Sequence, residues 1–162
     1  MCLRCDGYSD EELDRQQDLA IRVNGYQYLH VYQPGSSTGD GTWTYTVGLS
    51  ENFGQPEFIC IGIKPERQVS IVKALADTVV EEGYLDPEVL TDLDVELVRV
   101  HGDHFSDGLV TDWENRYRDA VEGDFLQVIP GKSWFCSCHP SNVERMDDPT
   151  PLTQAGYRDL PA

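Results

Sequence analysis

The chain has 162 residues, of which 40% are hydrophobic and 10% aromatic, as is typical of one globular domain rather than a disordered chain. It has 29 acidic and 12 basic residues and a net charge of −17, which argues against nucleic acid or an anionic membrane surface as a partner. No apolar run approaches the length of a membrane helix, and the N-terminal residues lack the apolar core of a signal peptide. We therefore expect a cytoplasmic protein.

Three segments have the sequence features of helices. Ser9 and Glu12 form a capping box that predicts a helix over residues 9–23. The clearest helical pattern covers residues 65–82, which begin with a proline and place valines, alanines and leucine on one broad face. A second capping box predicts a helix over residues 111–121.

Strands are expected between these helices because short apolar or alternating runs are bounded by turn residues. The predicted strands cover residues 26–32, 43–49, 58–63, 95–100 and 125–129, with a further short edge strand within 133–138. Residues 50–55 and 101–108 are expected as loops, and residues 84–94 as a connector that can include a helical turn. This order predicts an α+β fold, with a mainly antiparallel or mixed sheet of about five to six strands and about three packed helices. We expect a single domain over residues 1–162, with irregular termini at 1–8 and 139–162.

Residues 41–63 contain the strongest candidate for a binding pocket. Aromatic, hydroxyl and acidic side chains on neighbouring predicted strands would form a groove with a few polar groups, as small-molecule sites do. The candidates are His30, Trp43, Tyr45, Thr46 and Glu57, with Glu57 or His30 as the acid or base. The loop at residues 33–41 is a candidate lid. The alternative is that these aromatic side chains fill the core and bond their polar tips at its edge.

The cysteines suggest a metal site that joins the two ends of the chain. Cys2 and Cys5 form a Cys-x₂-Cys pair, and Cys136, Cys138 and His139 supply further ligands of the types that Zn²⁺ prefers. We expect a structural zinc site at Cys2, Cys5, Cys136 and Cys138, with His139 as an alternative ligand. The alternatives are a redox pair at Cys2 and Cys5, and thiols with no special role.

Three weaker patterns have simpler explanations. A metal site is possible in principle at His101, Asp103, His104 and Asp107. Because these residues lie in a loop after a strand, a solvated polar loop is the favoured explanation. Cys2 could act as an N-terminal nucleophile after removal of Met1, although no suitable scaffold is evident. Cys60 lies within an apolar run and is predicted to be a buried small residue rather than a nucleophile.

Several motifs resemble an uncharacterised bacterial family catalogued as domain of unknown function number 4262. They are residues 1–6, residues 43–50 with 56–58 and 61–63, and residues 125–129 with the aromatic turn at 134–135. The likeness covers roughly residues 1–135. The family commonly has histidine where this chain has Gln55, so a histidine-dependent role at that position is not expected. The resemblance supports a fold and implies no activity.

These patterns favour a binding or accessory module with a candidate structural zinc site. A solubilising surface is the simplest explanation of the negative charge. A protein partner with a basic surface and a small-molecule ligand are the two candidate partner types. One alternative is a small-molecule enzyme with its pocket at the strand pair of residues 41–63. Another is an acidic decoy that occupies the basic groove of a partner.

Overall fold

A computed structural model of the chain describes residues 7–31, 42–135 and 143–150. The helices are α1 (Asp10–Asn24), α2 (Leu49–Phe53), α3 (Pro65–Glu82), α4 (Pro87–Leu93) and α5 (Thr111–Arg116), with 3₁₀ helices at Gly102–Asp107 and Lys132–Trp134. The strands are β1 (Gln27–Val31), β2 (Trp43–Val47), β3 (Glu57–Ile61), β4 (Val95–Arg99) and β5 (Phe125–Pro130). Within these residues, none of the helices combines the length and the apolar character that crossing a membrane requires.

The five strands form one mixed sheet in the order β1-β2-β3-β5-β4. Pairs β1–β2, β2–β3 and β4–β5 are antiparallel, whereas β3 and β5 run parallel. The predicted α+β fold with a sheet of about five strands is thereby confirmed. Every residue of the central strand β3 is buried. The apolar run at residues 58–61 indicates this burial, whereas Glu57 at the start of the strand is acidic.

Helix α3 covers one face of the sheet. Its inward residues Ile71, Val72, Leu75, Ala76 and Val79 are fully buried, and they share an apolar cluster with Phe58 and Cys60 of β3 and Val128 of β5. Pro65 occupies the first position of α3, and Gly83 ends it in the left-handed conformation. The predicted bounds of this helix, residues 65–82, are therefore confirmed.

The opposite face of the sheet is covered by α5, the first 3₁₀ helix and the end of α1. Ile21, Phe105, Trp113 and Met146 pack there with apolar side chains of β2, β3 and β5. The capping box of α1 is formed as predicted: the Glu12 N–H donates to Ser9 Oγ at 3.2 Å, and the Ser9 N–H donates to Glu12 Oε2 at 2.9 Å. The two clusters place the core on both faces of the sheet.

Three local predictions were wrong. Residues 49–53 form α2 rather than a loop, and residues 132–134 form a 3₁₀ helix where an edge strand was expected. Helix α5 ends at Arg116 and lacks the predicted cap at its start. The Thr111 hydroxyl donates to the Gly108 carbonyl, and the Glu114 carboxylate accepts from the Ala120 N–H, so both side chains of that capping box have other partners.

Candidate functional site

Glu57 is the most unusual polar residue of the described chain because its carboxylate lies in the core with no solvent exposure (0%). It is the first residue of β3, pairs with Phe125 of β5, and lies on the sheet face that α5 covers. A carboxylate in such a place loses its hydration and must be compensated by hydrogen bonds.

Six hydrogen bonds reach this carboxylate. The donors are Thr46 Oγ1 at 3.0 Å, Gly48 N at 3.1 Å, Leu49 N at 3.0 Å, Ser50 N at 3.3 Å, Ser50 Oγ at 2.8 Å and Trp113 Nε1 at 3.1 Å. Thr46 uses its remaining capacity to accept from the Phe58 N–H at 2.9 Å. The carboxylate therefore joins β2, the start of α2, β3 and α5 at one point.

The turn that supplies three of these donors requires glycine at position 48. Gly48 has φ of +112°, a conformation that side-chain-bearing residues rarely adopt. A Cβ there would lie 3.0 Å from the Ile21 side chain and 3.1 Å from the Tyr26 Cα. Gly48 thus lets the chain turn from β2 into α2 with its next N–H groups directed at Glu57.

The chemistry of the donors matches an ionised carboxylate. Burial raises the pKa of the Glu57 carboxyl, while hydrogen bonds from Ser50, Thr46 and Trp113 act in the opposite direction. Three of the donors are backbone amides and one is an indole, and none of these groups can accept a proton. A protonated Glu57 would have only two hydroxyls to which it could donate. The arrangement stabilises a fixed negative charge and leaves no lone pair directed at solvent.

Two other pocket candidates, Trp43 and Tyr45, lie on the same sheet face as Glu57 but their polar atoms have structural partners. Tyr45 is buried, and its hydroxyl accepts from the Asp112 N–H at 3.1 Å. Trp43 Nε1 donates to the Leu109 carbonyl at 2.8 Å. Burial raises the pKa of Tyr45. These contacts agree with aromatic side chains that fill the core and bond their polar tips.

His30 lies on the other face of the sheet. It pairs with Thr44 across β1 and β2, and its Nδ1 is 2.7 Å from Thr44 Oγ1. Because the Thr44 hydroxyl donates to Gln68 Oε1 at 3.2 Å, His30 Nδ1 is assigned as the donor to Thr44. Burial lowers the pKa of His30, and the nearby Glu66 opposes that shift. The structure therefore brings Thr46 and Glu57 into contact, and it places His30 on the opposite face of the sheet from Glu57, Trp43 and Tyr45.

Two surface clefts of the described chain are lined mainly by acidic side chains. The first, about 540 Å³, lies between α1 and α5 and is lined by Asp10, Asp14, Gln17, Asp18, Asp112, Asn115 and Arg116. The second, about 310 Å³, lies between α3 and α4 and is lined by Thr78, Glu81, Glu82, Tyr84, Asp86, Glu88, Val89 and Asp92. Sequence inspection missed both clefts. The carboxylates of the first come from the separate helices α1 and α5. Those of the second are close in sequence, at residues 81–92, but the turn between α3 and α4 brings them to one cleft.

Arg116 distinguishes the first cleft from the second. It forms ion pairs with Asp18 of α1 and Glu51 of α2, and its guanidinium lies over the Tyr117 ring. These contacts hold three helices together and neutralise part of the cleft. Among the residues that line the second cleft, five are acidic and none is basic, and Tyr84 is 59% exposed.

The metal and thiol candidates fall into two groups. Cys2, Cys5, Cys136, Cys138 and His139 lie outside the described residues, as does the candidate lid at 33–41. Within the described part of the chain, no group of three or more His, Cys, Asp or Glu side chains is arranged to hold a metal ion. Cys60 is fully buried in β3, and burial raises the pKa of its thiol to about 12, so it is a core residue rather than a nucleophile.

The histidines of the polar loop have structural roles. His101 Nδ1 accepts from the Asp103 N–H at 3.2 Å at the start of the first 3₁₀ helix. His104 Nε2 lies 2.5 Å from the Asp148 carbonyl and must donate to it, since a carbonyl only accepts.

Residues 20–130 match the family model described as Domain of unknown function (DUF4262). No curated protein and no solved structure matches the chain. The matched range includes all of the Glu57 donors, so the segment that resembles the family is the segment that encloses this carboxylate.

Proposed function

The chain belongs to the domain of unknown function family DUF4262, whose model covers more than half of it. We propose that this member of the family is a binding or accessory module for a partner with a basic surface. The observation that supports this function is the cleft between α3 and α4. Its five carboxylates are exposed to solvent with no basic side chain among the lining residues, and Tyr84 offers an aromatic face. Arginine and lysine side chains are attracted to both features.

The state of Glu57 also favours a binding role over an enzymatic one. A general acid or base must reach the substrate proton within hydrogen-bond distance. Glu57 is enclosed by six donors and has no exposed surface. The enzyme alternative with Glu57 in the pocket wall would require this network to open. We expect this module to act in the cytoplasm, which remains a prediction from the sequence.

The test uses two variants of equal charge. The cleft variant combines Glu81→Gln, Glu88→Gln and Asp92→Asn, and leaves Asp86 in place because it caps α4. The control variant combines Glu11→Gln, Asp119→Asn and Glu122→Gln, which are exposed residues outside the cleft. Both lose the same number of carboxylates of the same types.

A fluorescein-labelled oligoarginine peptide is titrated into each protein at low and at physiological salt. Because each exposed ion pair contributes up to about 0.5 kcal/mol, the cleft variant should bind about tenfold more weakly than the wild type, and the control within about twofold. Equal weakening of both variants would show that only net charge matters, as the decoy alternative requires. The effect should shrink as salt is added.

The same proposal includes a structural zinc ion held by Cys2, Cys5, Cys136 and Cys138, with His139 as an alternative ligand. The support is the spacing and type of these residues, and the ion would tie both ends of the chain to the domain. Metal analysis of the untagged protein tests it. Cys5→Ser should remove most of the zinc, whereas Cys60→Ala, a change in the core, should leave it unchanged. A folded, metal-free wild type would refute the site.

A further inference from the structure

The segment of residues 143–150, here called the tail segment, is bound to the sheet through its backbone. Gln127 of β5 donates through Nε2 to the Glu144 carbonyl at 2.7 Å and accepts through Oε1 from the Met146 N–H at 2.6 Å. The His101 N–H donates to the Met146 carbonyl at 2.7 Å. A side-chain amide that bonds a carbonyl and an N–H two residues apart recognises an extended backbone rather than a particular side chain.

Met146 is the apolar anchor of the tail segment. Its side chain is fully buried, in the same cluster as Val100, Phe105 and Phe125. Methionine is unbranched and flexible, so it fills an irregular gap between branched and aromatic neighbours. The described residues on either side of it are exposed or only partly buried.

The side chain of Gln127 is suited to bind a peptide backbone. The side chain has no solvent exposure (0%), and both of its polar atoms bond the tail segment. If the tail segment left, the Gln127 amide would exchange two well-aligned backbone partners for water, beside the apolar gap left by Met146. A second peptide backbone in the same place would restore both bonds.

An ion pair next to Met146 adds a preference for a basic residue in the bound segment. Arg145 makes two hydrogen bonds with the Glu96 carboxylate of β4, at 3.1 and 3.2 Å. Both side chains are about half exposed, so this pair contributes to selectivity more than to affinity. The segment bound in this place therefore has a basic residue followed by a long unbranched apolar residue.

We propose that Glu96, His101, Gln127 and the apolar gap around Met146 form a groove for an extended peptide of a partner protein, which the tail segment of the same chain occupies as an internal competitor. The partner peptide carries a basic residue followed by methionine or a similar side chain. The groove lies apart from the acidic cleft between α3 and α4, so this inference does not depend on the function proposed above.

The probe is a labelled peptide with the residues of the tail segment, Val-Glu-Arg-Met-Asp-Asp-Pro-Thr, titrated into the full chain and into full-length Met146→Ala. Met146→Ala weakens the internal competitor and leaves Gln127, His101 and Glu96 unchanged. Because an occupied groove lowers apparent affinity by the fraction that is open, the variant should bind the peptide at least about tenfold more tightly than the wild type. Circular dichroism confirms that the variant is folded.

Changes in the peptide test the contacts without touching the fold of the protein. N-methylation of the methionine amide removes the donor to Gln127, and methionine-to-serine removes the anchor. Each should weaken binding to Met146→Ala by about tenfold or more. Arginine-to-glutamate should weaken it by only about threefold, since that ion pair is exposed. The α3–α4 cleft variant described above should bind the peptide as the wild type does.

Three outcomes would overturn the groove. The first is absence of binding to both proteins. The second is equal binding of the N-methylated and unmodified peptides. The third is a concentration-dependent dimer of the full chain that the peptide dissociates, because the occupant would then be the tail segment of a second copy rather than a partner peptide.

Discussion

Glu57 and Gln127 are two fully buried polar side chains on the same face of the sheet, yet they are satisfied in different ways. The partners of Glu57 are Thr46, Gly48, Leu49 and Ser50, which lie 7 to 11 positions before it in the sequence, together with Trp113 of α5. The partners of Gln127 are the backbone groups of Glu144 and Met146, which belong to a separate segment. The donors around Glu57 belong to the framework of the fold. The backbone groups that bond Gln127 can be exchanged for those of another peptide.

The difference follows from charge. A buried ion that loses its partners costs several kcal/mol, so the groups around it must stay in place whenever the protein is folded. A neutral amide that loses its partners costs about 1–3 kcal/mol, which another peptide can restore. The comparison therefore separates a residue that maintains the fold from a residue suited to reversible binding.

Glu57→Gln should have the largest effect on stability. Glutamine has the same shape, but it is neutral and turns an NH₂ group toward donors that cannot accept. We expect a loss of about 3–5 kcal/mol in the free energy of unfolding, measured by urea denaturation. The matched control is Glu81→Gln, an exposed residue, which should change stability by less than about 0.5 kcal/mol. Similar stability of the two variants would mean that Glu57 is not an ionised acceptor.

Gln127→Leu should have a smaller and more local effect. Leucine removes both bonds to the tail segment while preserving apolar packing, so we expect a loss of about 1–3 kcal/mol. The local consequence is measured by trypsin cleavage after Arg145, which should accelerate under conditions where the sheet remains folded. Glu57→Gln should instead expose cleavage sites throughout the chain. Release of the tail segment only on global unfolding would remove the distinction between the two residues.

Much of the framework could be predicted from the sequence because its signals are local. The helix at residues 65–82 has a proline at its start, a glycine after its end and one apolar face, and it forms with those bounds. The capping box at Ser9 and Glu12 is also formed as expected. In contrast, the capping box predicted at Thr111 is absent, because Glu114 bonds the N–H of Ala120. A local pattern fails where the fold offers the same side chain another partner, even one only six residues away.

The candidate site shows the same limit. The sequence singled out Thr46 and Glu57, which do bond each other, but it missed Ser50 and Trp113 as donors to that carboxylate. Trp113 is 56 residues away from Glu57, so no local pattern relates them. Gln127 gave no signal either, since a single glutamine in an apolar strand does not reveal which backbone it bonds. The tail segment was expected to begin an irregular terminus, and its contacts depend on the folded sheet.

Two tryptophans test whether the charge of Glu57 matters. Trp113 Nε1 donates to the Glu57 carboxylate at 3.1 Å, and Trp43 Nε1 donates to the neutral Leu109 carbonyl at 2.8 Å. Replacement by phenylalanine removes the donor and keeps an aromatic ring in each case. We expect Trp113→Phe to cost about 2–3 kcal/mol and Trp43→Phe about 1 kcal/mol, because hydrogen bonds to charged groups are stronger. In the Glu57→Gln background, the excess cost of Trp113→Phe should disappear.

Asp77 of α3 is a partly exposed carboxylate that, like Glu57, accepts hydrogen bonds from its neighbours. Its replacement should have the smallest effect on stability. Burial alone would raise the pKa of Asp77, but hydrogen bonds from Lys73 at 2.7 Å and Tyr26 at 2.8 Å hold it below its usual range. A carboxyl group whose pKa is lower in the folded state stabilises the protein above its unfolded pKa of about 3.9, and this contribution is lost as the pH falls through the folded pKa. Asp77→Asn should therefore cost less than about 1 kcal/mol at neutral pH and progressively less below about pH 4, as measured by urea denaturation across that range. Tyr26→Phe, which removes one of the two hydrogen bonds, should reduce the pH dependence without abolishing it. If the cost of Asp77→Asn grew on acidification, the pKa of Asp77 in the folded protein would be raised rather than lowered. Burial would then outweigh hydrogen bonding even at this partly exposed carboxylate.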